Sequence, residues 1–298
     1  MTPRGTRGDD QNKRLLEAAR IVARPFAPRR GGPRLMCMVY ATAERHADNV
    51  RAIRETWAPG CDGFVAMSTR NDSRVPALAL PHDGPEAYDN MWQKVRAIWR
   101  FAHAEYGRRF DFFVLGGHDL YVLPQNLRDL LATYATTNDA TNDAATYPPL
   151  FLGRRFVDYA GTLFNSGGAG YVLSAAALDA LSAALDDARC GPRARTSMED
   201  VMVAKCLAQV AGVVPLDTRD AERRERFHPF APGAHLTWKP PAPGKPRDWY
   251  EDYNRQWGLR LGADCCAPDS VSFHYVKKPA MMRHIHALLY DCEGTGAG

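Results

Sequence analysis

An α/β fold with a mostly parallel central sheet covered by helices follows from three features of this 298-residue chain. Short apolar runs alternate with segments of helical periodicity, the order expected of strand–helix–strand units. Each helical segment repeats its apolar residues at three- and four-residue spacing, so each has one face to bury. The run Phe112-Phe113-Val114-Leu115 then stops at Gly116-Gly117-His118-Asp119, polar residues where a buried strand should end. In parallel sheets the ligand crevice lies beyond such carboxyl ends, which places the chemistry at His118 and Asp119.

Residues 35–41 read as a buried strand, and 44–57 as a helix with Val50, Ile53 and Trp57 on one face. Residues 64–67 form a second strand. Met91, Val95, Ile98, Ala102 and Tyr106 mark a helix before the strand at 111–115. Pro124 opens a helix to about Tyr134, and residues 137–149, with repeated Thr-Asn-Asp-Ala, read as a polar loop. Strands at 151–156 and 170–173 flank Asn165-Ser166-Gly167-Gly168-Ala169-Gly170, and helices follow at 175–185 and 198–210. Beyond the Pro-rich stretch 240–246 the chain is aromatic, with Trp249, Tyr250, Tyr253 and Trp257 close together. Such a cluster serves either as a sugar or peptide platform, with Trp249 and Tyr250 as acceptor-binding candidates, or as a minor core.

The length suits one large domain. The net charge of +4 comes from 38 basic against 34 acidic residues. Much of the excess lies at Arg4, Arg7, Lys13, Arg14, Arg20, Arg24, Arg29, Arg30 and Arg34, so the body is nearly balanced and a duplex-binding face is excluded. Residues 1–33 are read as a basic tail, disordered or loosely helical, 34–278 as the folded domain and 279–298 as a C-terminal tail. Within the first segment, 15–26 is basic and amphipathic, which fits a transit or membrane-surface role, a solvated tail or a capping helix. No apolar run is long enough for a membrane span or a signal peptide. Seven cysteines in no C-x-x-C pattern point to disulfides, with at least one thiol left over.

Two local motifs have alternative readings. The glycines of 165–170 let the backbone approach a ligand, making Gly167 and Gly168 donor-binding candidates, or they form a plain tight turn. Thr196-Ser197-Met198-Glu199-Asp200 has the form of a capping box, yet a first-turn Asp at a pocket rim also serves as a general base. His228 and His274 sit among aromatics, as packed core residues or as ligands; His274 becomes a ligand candidate if it meets Asp119.

From about residue 34 to 276 the chain resembles the core 1 β1,3-galactosyltransferases of glycosyltransferase family 31, relatives of the Fringe glycosyltransferases. The resemblance rests on Arg34-Leu-Met-Cys37, Thr56-Trp-Ala-Pro-Gly-Cys61, Trp92-Gln-Lys94, Phe112-Phe113 with Asp119-Leu-Tyr-Val122, and Gly153-Arg-Arg-Phe156. It continues through Ser166-Gly-Gly-Ala-Gly-Tyr-Val-Leu-Ser174, Glu199-Asp200, Phe227-His-Pro-Phe230, Cys265-Cys266 and Val271-Ser-Phe-His-Tyr275. It implies a GT-A type fold and inverting transfer of galactose from UDP-galactose to the 3-hydroxyl of protein-linked N-acetylgalactosamine. Asp119 then matches the last carboxylate of the family's Asp-Asp-Asp motif, a donor-binding manganese ligand, His274 matches the histidine that joins it, and Asp200 matches the catalytic base. The resemblance also implies the pairs Cys37–Cys61 and Cys190–Cys206, and residence in the secretory pathway or Golgi lumen, although the expected membrane anchor is not seen. Monomer and homodimer both stay open.

Where the family has its first two aspartates, this chain has Gly117 and His118. Either His118 joins Asp119 and His274 in an altered cation site, or the chain is a non-catalytic binding or chaperone relative that has lost its metal.

Overall fold

A computed structural model describes residues 7–26, 32–136 and 146–290. The polar repeat at 137–145 and Cys292 lie outside these residues. Eleven strands are described: β1 (Leu35–Tyr40), β2 (Gly63–Ser68), β3 (Ala77–Ala79), β4 (Phe112–Gly117), β5 (Tyr121–Val122), β6 (Phe151–Gly153), β7 (Arg155–Val157), β8 (Leu163–Asn165), β9 (Tyr171–Ser174), β10 (Phe227–His228) and β11 (Ser272–Phe273). The α-helices are α1 (Arg7–Ala18), α2 (Arg51–Glu55), α3 (Met91–Tyr106), α4 (Pro124–Ala132), α5 (Ala175–Ala184), α6 (Glu199–Ala211), α7 (Pro232–Thr237), α8 (Trp249–Tyr253) and α9 (Pro279–Tyr290).

Six strands form the main sheet in the order β3-β2-β1-β4-β9-β6. The four on the β3 side run parallel, β9 runs antiparallel to them, and β6, antiparallel to β9, resumes their direction. The architecture is therefore α/β with a central, mostly parallel sheet. Alternation along β1 divides the core: Leu35, Cys37 and Val39 face the layer holding α1, α2, α4 and α9, whereas Met36 and Met38 face α3, α5 and α6. The chain leaves β1 in one direction to β2 and later returns on its other side as β4, so the crevice between the ends of β1 and β4 is the sheet's switch point.

Four expectations change. The N-terminal segment is no loose tail: in α1, Leu15 and Leu16 are buried and the helix packs on α7 and α9, so its apolar stripe closes the core and its basic residues face out. The C-terminal boundary at 278 likewise cuts off α9, which buries Met282, Ile285 and Leu289. The single helix expected at 44–57 is a 3₁₀ turn, a π turn at His46–Val50 and then α2. Buried His46, which begins the π turn, bonds Ser68 Oγ at 2.7 Å. Similarly, the strand expected at 151–156 splits at Arg154, which is buried on Glu225 at 2.8 Å and Asn254 at 2.6 Å. No helix among the described residues is long and apolar enough to cross a membrane.

Disulfides join Cys37 to Cys61 and Cys190 to Cys206. Closing loops of 24 and 16 residues, they tie β1 to the approach to β2 and α6 to the turn before it. Each contributes about 3 kcal/mol in the chain-entropy picture. Thiol labelling of unreduced, denatured protein should leave all four sulfurs unmodified. Their modification would refute the pairing.

Candidate active site

A cavity of about 620 Å³ opens at the switch point. Tyr40 from the end of β1, His118 and Asp119 from the end of β4, the glycine loop after β8, the start of α6, and His274 all border it. The chain turns between Gly117 and Leu120, where the Leu120 amide donates to the Gly117 carbonyl at 3.1 Å. His118 and Asp119 therefore sit on a turn, free of the strand alternation that would send neighbours to opposite faces. Trp57 Nε1 donates to the Leu120 carbonyl at 3.1 Å, and the Val276 amide to that of Asp119 at 2.9 Å, which fixes the turn from both sides.

Gly117 gives Asp119 its room. A Cβ built on Gly117 would lie 2.8 Å from Asp119 Oδ1, so the Asp119 carboxylate occupies space that a side chain at 117 would contest. That is the physical consequence of glycine standing where the resemblance places an aspartate.

Asp119 Oδ1 lies 3.4 Å from His274 Nε2. His274 Nδ1 lies 3.2 Å from the Pro229 carbonyl, which only accepts, so Nδ1 carries the hydrogen. In the neutral ring, Nε2 then turns a lone pair towards a carboxylate. A cation or a proton between them resolves that arrangement, and the backbone-anchored second nitrogen is the usual support of a metal-ligating histidine. The separation lets both atoms reach one ion at about 2.0–2.2 Å each. Burial pushes the Asp119 carboxyl up, but His274 and His118 outweigh it and hold it below its ordinary value. Burial also lowers His118, against the pull of Asp119, so its imidazole is a neutral donor of lone pairs. Tyr275 stacks on His274 and holds a left-handed backbone, φ 56°, strain of a kind that clusters at functional sites.

The glycine loop explains itself by what it touches. A Cβ on Gly168 would meet the His274 ring at 2.6 Å, and one on Gly167 would meet Glu199 Oε1 at 2.3 Å. The Gly167 amide, expected to face a donor, is already engaged: it donates to Asp200 Oδ2 at 2.8 Å. Gly170, at φ 74°, ends the turn. The two glycines thus draw Asp200 and His274 to either side of one backbone segment.

The capping box does not form. Met198 takes the N-cap position without a side-chain bond, and the Thr196 hydroxyl accepts from the Met198 amide. Asp200 instead accepts from Gly167 and, through Oδ1, from the Val201 amide at 2.9 Å, leaving a half-buried carboxylate on the cavity wall. Burial raises it, opposed by those two amides. Buried Glu199 is pushed well above its ordinary range, by desolvation first and by Asp200 second, while the Tyr171 hydroxyl donates to it at 3.0 Å. A carboxyl raised in the folded state contributes stability present below its unfolded pKa and lost as pH rises through the folded one. Melting temperature should therefore fall more in the native protein than in Glu199→Gln between about pH 5 and about pH 8, above the ordinary Glu value near 4.3. Parallel curves for the two would contradict the neutral carboxyl.

Phe156, Phe164, Trp249 and Tyr253 form an aromatic wall, with Trp249 42% exposed. Tyr250 is a correction: it is only 4% exposed, turns away from the cavity and packs among Phe230 and Trp238 with its hydroxyl near Arg154. Its neighbour Trp249 faces out because successive residues of α8 point about 100° apart. Sequence reasoning missed Lys94, Glu86 and Lys277. Buried Lys94 donates to the Ala41 carbonyl at 3.0 Å and pairs with Glu86, bracing the end of β1. A lysine on the buried face of α3 was the available signal. Lys277 leaves an exposed ammonium at the cavity mouth, over the Tyr275 ring at 4.4 Å.

The fold gathers these acidic and imidazole groups around one cavity at the switch point of its sheet. No family model matches the chain. It is 30% identical to glycoprotein-N-acetylgalactosamine 3-beta-galactosyltransferase 1 of Xenopus laevis over 263 residues, 88% of this chain and 68% of that protein. The chain belongs to the core 1 β1,3-galactosyltransferase family, a family of hexosyltransferases.

Proposed function

We propose that the chain is an inverting GT-A type β1,3-galactosyltransferase moving galactose from UDP-galactose to the 3-hydroxyl of N-acetylgalactosamine on a glycoprotein. One observation carries the reading: consecutive Gly167 and Gly168 lie against Asp200 and against His274, which is 3.4 Å from Asp119, and all of these border one cavity. A base and a cation-binding pair facing one cavity are what displacement at an anomeric carbon needs.

Asp200, Oδ2 anchored by the Gly167 amide, takes the proton of the acceptor hydroxyl as that oxygen attacks the anomeric carbon. Asp119 and His274 would hold a divalent cation, manganese in the family's usual form, and His118 lines the same cavity. When bound, the cation neutralises charge developing on the departing diphosphate. Lys277 faces the same region and adds a positive charge at the mouth. Trp249 offers the acceptor sugar an apolar face, whereas buried Tyr250 only supports it. The disulfides fit an oxidising compartment of the secretory pathway.

Incubation with UDP-galactose, manganese and a peptide bearing N-acetylgalactosamine should add one hexose to the peptide by mass spectrometry. Absence of transfer with retained peptide binding would favour the chaperone or binding reading, which Gly117 and His118 motivate. His118→Ala should weaken manganese-dependent UDP binding by about tenfold, the lower end of what supporting groups at metal sites contribute. An unchanged titration would leave Asp119 and His274 acting without it.

A further inference from the structure

Away from the sugar-nucleotide cavity, His228 on β10, His235 on α7, and Cys265 and Cys266 place one ligand atom each within 4.8 Å of one another, all four buried. We propose that these residues form a second metal site, taking a thiophilic divalent ion such as Zn²⁺ when the Cys265–Cys266 pair is reduced. In the structure the pair is a disulfide between sequence neighbours.

The hydrogen bonds assign His228 its ligating nitrogen. Ser270 has one hydroxyl proton, and it goes to the Ala267 carbonyl at 2.6 Å. Ser270 Oγ, 2.9 Å from His228 Nε2, must therefore accept from Nε2–H. That leaves Nδ1 unprotonated, its lone pair 3.6 Å from Cys266 Sγ. Two ligands of a tetrahedral zinc, with Zn–S about 2.3 Å and Zn–N about 2.0–2.1 Å, lie about 3.6 Å apart. A disulfide has no proton to give that lone pair, so the oxidised form buries an acceptor without a donor. His235 Nε2 is also buried without a hydrogen-bond partner among the described residues. Both imidazoles are thus lone-pair or proton sites in want of a partner.

The surroundings fit an ion. A small enclosed cavity of about 10 Å³ lies among His228, His235 and Cys265, large enough for about one water-sized sphere. Burial keeps both imidazoles neutral, lowering His235 to about 3. Two thiolates would balance a divalent charge; of the arginines around the cavity, Arg154 is balanced by Glu225 at 2.8 Å, while Arg223 and Arg260 also line it and favour the anionic thiolates. The His228 ring is held by stacking on Phe273 and by Ser270, the outer support expected of a metal ligand. Soft sulfur with imidazole selects zinc over the oxygen-preferring ions.

The interconversion balances. A dithiol gives two electrons to the Cys265–Cys266 bond and becomes its own disulfide. Its two protons pass to the two sulfurs and leave to solvent when the ion binds.

The test uses full-length protein reduced with a dithiol, freed of it by gel filtration under argon, and titrated with Co²⁺ as a spectroscopic stand-in for Zn²⁺. One Co²⁺ per chain should bind with a sulfur-to-cobalt charge-transfer band and the visible bands of tetrahedral coordination. Cys266→Ser and His235→Asn, each checked for native circular dichroism, should weaken that signal's affinity by at least about tenfold, as loss of a ligand must exceed loss of its support. Asp119→Asn should leave it unchanged, which separates this site from the sugar-nucleotide cavity. Reduced native protein without a thiolate–cobalt band, loss of native dichroism on reducing the pair, or a band undiminished in both variants would overturn the proposal.

Discussion

Asp200→Asn should lower kcat by about 10²–10⁴-fold, the usual contribution of a positioned base, while manganese-dependent UDP affinity stays within about twofold. The amide keeps an oxygen for the Gly167 amide, which holds the loop, and gives up the one that accepts from the Val201 amide, but it cannot take the acceptor proton. The native rate should rise with pH along a limb displaced above the ordinary aspartate range, because burial raises Asp200 in the free enzyme. A variant with near-native turnover would move the base elsewhere. A variant that lost UDP binding equally would make Asp200 a structural support of the glycine loop.

Asp119→Asn should act on the opposite side of the same backbone segment. Removing the charge that faces His274 Nε2 removes half of the pair proposed to bind the cation. Transfer should fall by on the order of 10³-fold, since a cation at a departing diphosphate contributes several kcal/mol. Unlike Asp200→Asn, this change should also abolish the manganese dependence of UDP binding. The contrast is the diagnostic, and isothermal calorimetry on both variants reads it. If Asp119→Asn binds UDP with native manganese dependence, the pair is not the cation site.

Much of this was legible before any coordinates, for physical reasons. Strands β1 and β4 are apolar throughout their buried faces, and α3 repeats apolar residues at helical spacing beside its buried Gln93, Lys94 and Arg96, so their periodicity survives in the one-dimensional pattern. The glycine–polar break after β4 marked the crevice because sheets place ligands there. What stayed hidden depends on long-range contacts. Glu199 and Asp200 wear the pattern of a capping box, yet tertiary approach of Gly167 redirects Asp200 and burial takes Glu199. Trp249 and Tyr250 look alike in sequence, and only the orientation of α8 separates a cavity wall from a core residue. The amphipathic stripe at the N-terminus was visible, with a capping helix among its readings, but its partners α7 and α9 lie more than two hundred residues away. His228, His235 and the Cys265–Cys266 pair likewise come together only through the β10–β11 pairing and α7.

The most direct measurement is calorimetric titration of purified native protein with UDP, with and without manganese. UDP binding should require the cation and disappear in Asp119→Asn. No UDP binding with manganese, zinc or any other divalent ion would contradict a working sugar-nucleotide site.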